Sequence, residues 1–139
     1  MTTDLEKARK LLASGGYTCV LVKGDTVYTS TERGVKPLLV FLDGNTDLQA
    51  FSAADKVIGK ATAFLYCLLG VREVYAPVIS RSAAEVLSGH GIAAYWDVKA
   101  EFIINRRKTG PCPMETAVQT IEDARAALAA VRETLKNMK

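Results

Sequence analysis

Histidine is almost absent from this chain: His90 stands alone, and the three cysteines, Cys19, Cys67 and Cys112, lie far apart with no Cys-x-x-Cys pair. A zinc hydrolase holds its metal with three protein ligands, most often His, Cys or a carboxylate, and that set is not written at any helix start. His90 sits in the last turn before Gly91, where a helix dipole alone favours it as a surface or capping residue. The odd, dispersed cysteines argue against a disulfide framework. No apolar run approaches the roughly 18 residues that a membrane span takes. The start, Met1-Thr2-Thr3-Asp4-Leu5-Glu6, has no basic stretch leading into an apolar one, so the chain reads as cytoplasmic, with no membrane partner. One-signed charge is lacking too. Eighteen Lys+Arg face fifteen Asp+Glu for a net charge of +3, and part of that excess is the local run Arg106-Arg107-Lys108, so nothing supports a nucleic-acid partner.

What remains is the composition of one ordinary domain, residues 1–139. A hydrophobic share of 49% with mean hydropathy +0.10 fills a core and leaves apolar surface compatible with a homo-oligomer. Apolar periodicity alternates between helix and strand. Thr3-x-x-Glu6 is a capping-box pattern opening a helix to about Ser14, stopped by Gly15-Gly16. Tyr17 to Lys23, the turn Gly24-Asp25 and Thr26 to Ser30 read as a β-hairpin. Val35, Leu38, Leu39 and Leu42 share one helical face, with Pro37 in the first turn. Leu48 to Phe51 is a short strand candidate. A helix from about Ala53 turns Val57, Ile58, Ala61, Phe64, Leu65 and Leu68 inward and closes at Gly70. Val74 to Ile79 is a strand whose Pro77 signals an edge or a bulge. A helix from Arg81 to His90, a strand from Ile92 to Trp96 and helices from Pro113 and over Glu122 to Lys136 complete an α/β pattern. Ala100 to Asn105 reads equally as strand or helical turn.

Two polar segments are not what a core needs: 52–60, with Asp55, Lys56, Gly59 and Lys60, and 105–115, with Asn105, Arg106, Cys112 and Glu115. Each falls where a helix is expected to begin, and helix starts present free N–H groups that favour anions. Lys56 and Lys60, four apart on one helical face, suit a phosphate; equally, Ser52-x-x-Asp55 is a capping box and the lysines are a solvated face. Cys112 at a helix start is a thiol that the dipole would acidify, or a structural cysteine. Glu115 is a base or a cap partner. Asn105 and Arg106 offer an amide and a donor fork for phosphate or a base edge, or belong to a solvated loop. Ser30, Thr31, Arg33 and Gly34 form a polar turn between hairpin and helix.

The order hairpin, helix, strand, helix, strand, helix, strand resembles the cytidine deaminase-like fold. With Ser30 to Leu39 (STERGVKPLL), Asp55 to Ala61 (DKVIGKA), Asn105-Arg106 and Cys112 to Glu115 (CPME), the chain resembles the DUF1893, or TM1506-like, family over nearly its whole length. The resemblance implies a three-layer α/β/α fold with a mixed sheet plus N-terminal and C-terminal helices, and a pocket location, but no settled activity. True deaminases of this fold bind zinc at two helix starts with a glutamate as proton shuttle. Here those starts read Asp55-Lys56-Val57 and Ser80-Arg81-Ser82-Ala83, so neither metal nor other cofactor is expected. Two function classes follow from these residues. One is a zinc-independent nucleotide- or nucleotide-sugar-binding protein, with or without catalysis, in which Lys56, Lys60 and Arg106 hold phosphate, Ser30, Gly34 and Asn105 border the ligand, and Asp55, Cys112 and Glu115 line the reactive end. The other is a non-catalytic nucleotide sensor or interaction protein on the same scaffold.

Overall fold

The computed structural model describes residues 1–103 and 112–138. Helix α1 (Thr3–Ser14) is capped by Thr2, one residue ahead of the expected box, whose hydroxyl accepts from the Leu5 N–H. The hairpin follows as β1 (Cys19–Lys23) and β2 (Thr26–Ser30), paired in register about the Gly24-Asp25 turn. Gly24 adopts φ +59, the left-handed conformation such two-residue turns require. Helix α2 (Lys36–Asp43) comes next.

The following segment departs from expectation. Residues Ser52–Asp55 are strand β3 and Val57–Ile58 strand β4, and helix α3 begins only at Lys60, running to Leu69. The helix foreseen from Ala53 therefore starts seven residues later, and Leu48 to Phe51 is not a strand. The reason is tertiary. Ser52, Ala53, Ala54 and Asp55 are all buried between β1, to which β3 is antiparallel, and β5 (Glu73–Ser80), to which it is parallel. Small residues of weak strand propensity are drawn into the sheet by the neighbours on both sides. Gly59, extended at the N-cap, marks the true start of α3, and Gly70 closes it in the left-handed conformation, φ +76, as anticipated.

Helix α4 (Arg81–Gly89), β6 (Ala93–Ala100), α5 (Pro113–Val118) and α6 (Ala124–Asn137) complete the chain. Of the ambiguous stretch 100–105, residues 101–103 follow β6 as neither strand nor helix, while 104 and 105 lie outside the described residues. Strand β6 pairs in parallel along all of β5, so β3 and β4, which also pair with β5, occupy its other side as two halves of one interrupted strand. The sheet thus runs β2, β1, β3/β4, β5, β6. Pro77 is not on an edge strand; it sits in central β5 beside the break between β3 and β4, outside the paired registers on both sides.

Helix α1 covers one sheet face, where Leu5, Ala8 and Leu12 pack on Val20, Val22, Ala54 and Tyr75. The other face carries the larger core, in which Phe64, Leu65 and Tyr66 of α3 meet Leu21, Ala53, Val74 and Ile79 of the sheet. Helices α5 and α6 dock on α3 from outside, through Met114, Val118, Ala127 and Val131. This is the three-layer α/β/α arrangement with a mixed sheet, bracketed by N- and C-terminal helices. The parallel strands β4 and β5 deliver their carboxyl ends to the N-termini of α3 and α4, the crevice in which open α/β sheets bind ligands.

Candidate functional site

The end of β3 carries a polar row, buried at Asp55 and Cys19 and half-buried at Ser30. Cys19 of β1 stands opposite Asp55 of β3 and also opposite Ser30 of β2, so three of the sheet's strands place Ser30, Cys19 and Asp55 side by side. Tyr66 reaches down from α3 and donates its hydroxyl to Asp55 Oδ2 at 2.7 Å. The phenol has one proton, so the Cys19 thiol, 3.4 Å from the Tyr66 oxygen, is the donor in that second contact. Burial pushes the Asp55 carboxyl up to about 7, against the pull of the Tyr66 hydroxyl and the backbone N–H groups of Val57 and Lys56. Burial and the Asp55 charge drive the Cys19 thiol and the Tyr66 phenol well above their ordinary ranges. Asp55 thus titrates near neutrality from inside the core.

The second cluster surrounds the start of α3. The first N–H groups of any helix lack intrahelical acceptors; here the Lys60 and Ala61 N–H groups donate to Glu115 Oε1 at 2.7 Å and Oε2 at 3.0 Å. Glu115 belongs to α5, so a carboxylate from another element fills the anion seat at this N-terminus. Gly59 permits it: a Cβ there would lie 2.5 Å from the Glu115 carboxyl carbon. Lys60 answers in the opposite direction. Its ammonium donates to the carbonyl of Gln119, the last turn of α5, at 3.0 Å, and lies 3.6 Å from Glu122. Each helix therefore caps the other, with the charge signs that helix dipoles favour.

These contacts correct several expectations. Asp55 is at a strand end and not at a helix start. Ser52 is no capping residue; its hydroxyl donates to Glu73 Oε2 at 2.6 Å across the sheet. Lys56 and Lys60 share no helical face, since Lys56 precedes the helix and is exposed, while Lys60 is 8% exposed and committed to α5. Glu115 caps α3 and not its own helix. Cys112 is the N-cap residue of α5 without a side-chain capping bond, half-buried against the main core, and its N–H donates to the Ile103 carbonyl at 3.0 Å. Glu115 lies one helical turn beyond it. Ser30 accepts the Glu32 N–H at 3.1 Å, and Gly34 adopts φ +63 in the turn before α2. Thr18 ties this turn to the site: its hydroxyl lies within hydrogen-bond reach of the Ser30 and Glu32 carbonyls, its N–H donates to the Ser30 carbonyl, and its own carbonyl accepts the Lys56 N–H at 3.1 Å. Asn105 and Arg106 lie outside the described residues. His90 is exposed and bonds through Nδ1 to the Val86 carbonyl at 2.8 Å, a capping role as expected.

Sequence reasoning missed Tyr66, Cys19, Thr18 and Gln119. Tyr66 and Cys19 look like core residues at core spacing, and only the cross-strand register brings them to Asp55. Moving the helix start to Gly59-Lys60-Ala61-Thr62 supplies no metal ligand, and among the described residues no three His, Cys, Asp or Glu side chains gather as a metal would need. No described helix is long and apolar enough to cross a membrane.

Fold and site together define an α/β/α domain with a carboxylate-filled helix start and a buried carboxyl pushed toward neutrality. Residues 7–135 match the family model TM1506, a domain of unknown function (DUF1893), and the chain belongs to that family. It is similar to a solved DUF1893 family protein, TM1506, from Thermotoga maritima, with a TM-score of 0.87 and 22% identity over 96% of this chain and 91% of that one. At that identity the likeness carries the fold. A diaminohydroxyphosphoribosylaminopyrimidine deaminase/5-amino-6-(5-phosphoribosylamino)uracil reductase from the same organism aligns at a TM-score of 0.44 and 16% identity, over 69% of this chain and 36% of that one, and bears on nothing further. No curated protein matches.

Two predictions follow from the geometry. Glu115→Ala removes both charge-assisted bonds at the α3 start and should cost about 1.5–3 kcal/mol of unfolding free energy. Gly59→Ala, which forces the carboxylate off its seat, should reproduce most of that loss in denaturant melts. The second concerns Asp55. Its folded-state pKa is raised, so the stability it contributes is fully present below the unfolded value of about 3.9 and is lost as pH rises through about 7. Wild-type stability relative to Asp55→Asn should therefore fall from pH 4 to pH 7 and level off above. A difference flat with pH would show that Asp55 keeps an ordinary carboxylate pKa.

Proposed function

We propose that this chain is a zinc-independent nucleotide- or nucleotide-sugar-binding protein whose ligand phosphate is received at the start of α3. The observation that carries the reading is the bidentate seating of an oxyanion there: the Glu115 carboxylate occupies the Lys60 and Ala61 N–H groups in the way a phosphate does at helix N-termini. A phosphate and Glu115 compete for one place. Lys56, exposed in the bend between β3 and β4, supplies the cation, and Arg106 is assigned the same task; Ser30 and Gly34, tied to that bend through Thr18, border the rest of the ligand together with Asn105. If the protein is a catalyst, Asp55 is its neutral-pH proton carrier, with Cys112 and Glu115 at the mouth.

The non-catalytic sensor or interaction protein is favoured by a different observation. Asp55 is sealed beneath Tyr66 and Glu115 is engaged in a cap, so the groups a catalyst would use hold the fold together instead. Displacing Glu115 would loosen α5 from α3, an output suited to sensing.

Calorimetric titration in EDTA with a nucleoside, its mono- and diphosphate and a nucleotide-sugar tests both readings. A phosphorylated member should bind and the bare nucleoside should not. Glu115→Gln, which removes the competing charge, should bind more tightly than wild type. Failure of every phosphorylated compound to bind either protein would overturn the proposal. Turnover of the bound compound would select the enzyme over the sensor.

A further inference from the structure

Helix α1 packs on β1, β3 and β5 and stops short of β6: the cluster it covers contains Val20, Val22, Ala54 and Tyr75 but no residue of the last strand. The step between helix and sheet is an open cleft of about 330 Å³, at the small end of the roughly 300–1,000 Å³ typical of small-molecule sites. Arg9 of α1 forms one wall. Tyr75 of β5, its lateral neighbour Tyr95 of β6 and Asp97 line the sheet side. The cleft is on the α1 face of the sheet, whereas α3 and its helix start lie on the other face.

The charges of this cleft are arranged around one buried ring. The Arg9 guanidinium carbon lies over Tyr75, 5.0 Å from the ring centroid, and the Tyr75 hydroxyl donates to Asp97 Oδ2 at 2.6 Å. Burial and the Asp97 hydrogen bond push the Tyr75 phenol above its ordinary range, so it keeps the proton it donates. Arg9 and Asp97 are both exposed, and among the described residues neither forms a salt bridge, with the other or with a third group. A cation and an anion thus share one cleft without pairing, held apart by the ring they both touch.

The unused hydrogen-bonding capacity defines what fits. A guanidinium only donates; a carboxylate only accepts, and a phenol oxygen that has given up its one proton to a bond can still accept. An anion alone would satisfy Arg9 and be repelled by Asp97, and an amine alone would meet the reverse conflict. A zwitterion satisfies both, and an ammonium has three protons to divide between Asp97 and the Tyr75 oxygen. Met1 and Tyr95, 44% and 37% exposed, add apolar surface at the cleft, which suits an apolar substituent. We propose that this cleft is a binding site for a free α-amino acid with an apolar side chain, its carboxylate held by Arg9 and its ammonium by Asp97 and the Tyr75 oxygen. The site is independent of the candidate phosphate seat at the start of α3.

Calorimetric titration with L-phenylalanine and L-leucine, each beside the amine and the carboxylic acid that lack one of its two charged groups, tests the assignment. At least one of the two amino acids should bind the wild-type chain, and loss of either charged group should weaken binding about tenfold or more. Arg9→Met keeps the stem and removes the charge, so it should bring the amino acid toward the affinity of its decarboxylated analogue. Asp97→Asn can still accept from Tyr75 and should bring it toward that of the deaminated acid. Both positions are exposed, and thermal melts of the two variants should match wild type. Absence of binding by both amino acids at millimolar concentration, analogues that bind as tightly as the parent, or either variant binding the amino acid as wild type does would overturn the proposal.

Discussion

The seating of α5 on α3 depends on one carboxylate. Glu115 accepts the first two N–H groups of α3, and Lys60, the first residue of that same helix, returns a hydrogen bond to the end of α5. Each interaction is charge-assisted and part-buried, where such bonds are worth roughly twice a neutral one. Together they fix the short helix α5, six residues long and too short to be stable by itself, on the outside of α3. Helix α6 then completes the outer layer. Gly59 is part of the same device, since any larger residue would occupy the space the carboxylate needs.

A second constraint lies beneath the first. Asp55, Tyr66 and Cys19 join β3, α3 and β1 through a chain of buried hydrogen bonds. Burial of an ionisable group without a counter-ion is costly, and here the cost is offset by the Tyr66 hydroxyl, the neighbouring backbone N–H groups and a pKa pushed up to about 7. The two clusters are linked by the short segment from Lys56 through β4 to Gly59, so a ligand that moved Glu115 would act on a segment whose other end is anchored by Asp55.

Much of the architecture was legible in the sequence. The hairpin, α2, α4 and the Gly70 stop follow from turn chemistry and 3.6-residue periodicity. The segment 52–59 was not, because Ser52-Ala53-Ala54-Asp55 has helical composition, and only flanking strands on both sides make it extended. The same misreading placed Lys56 and Lys60 on a shared face. Glu115 was recognised as a cap partner, yet its true partner is 55 residues away in sequence, and no local pattern could name it. Pro77 was informative in kind, marking an interruption, though it lies in a central strand.

Amide hydrogen exchange at Lys60 and Ala61 tests the central claim most directly. No carbonyl within α3 accepts these two N–H groups, so their protection reports Glu115 and little else. They should exchange about as slowly as Ala63, whose N–H donates to the Gly59 carbonyl at 2.9 Å. Exchange of both amides at the rate of open solvent, with Ala63 still protected, would show that the seat is empty and contradict the account.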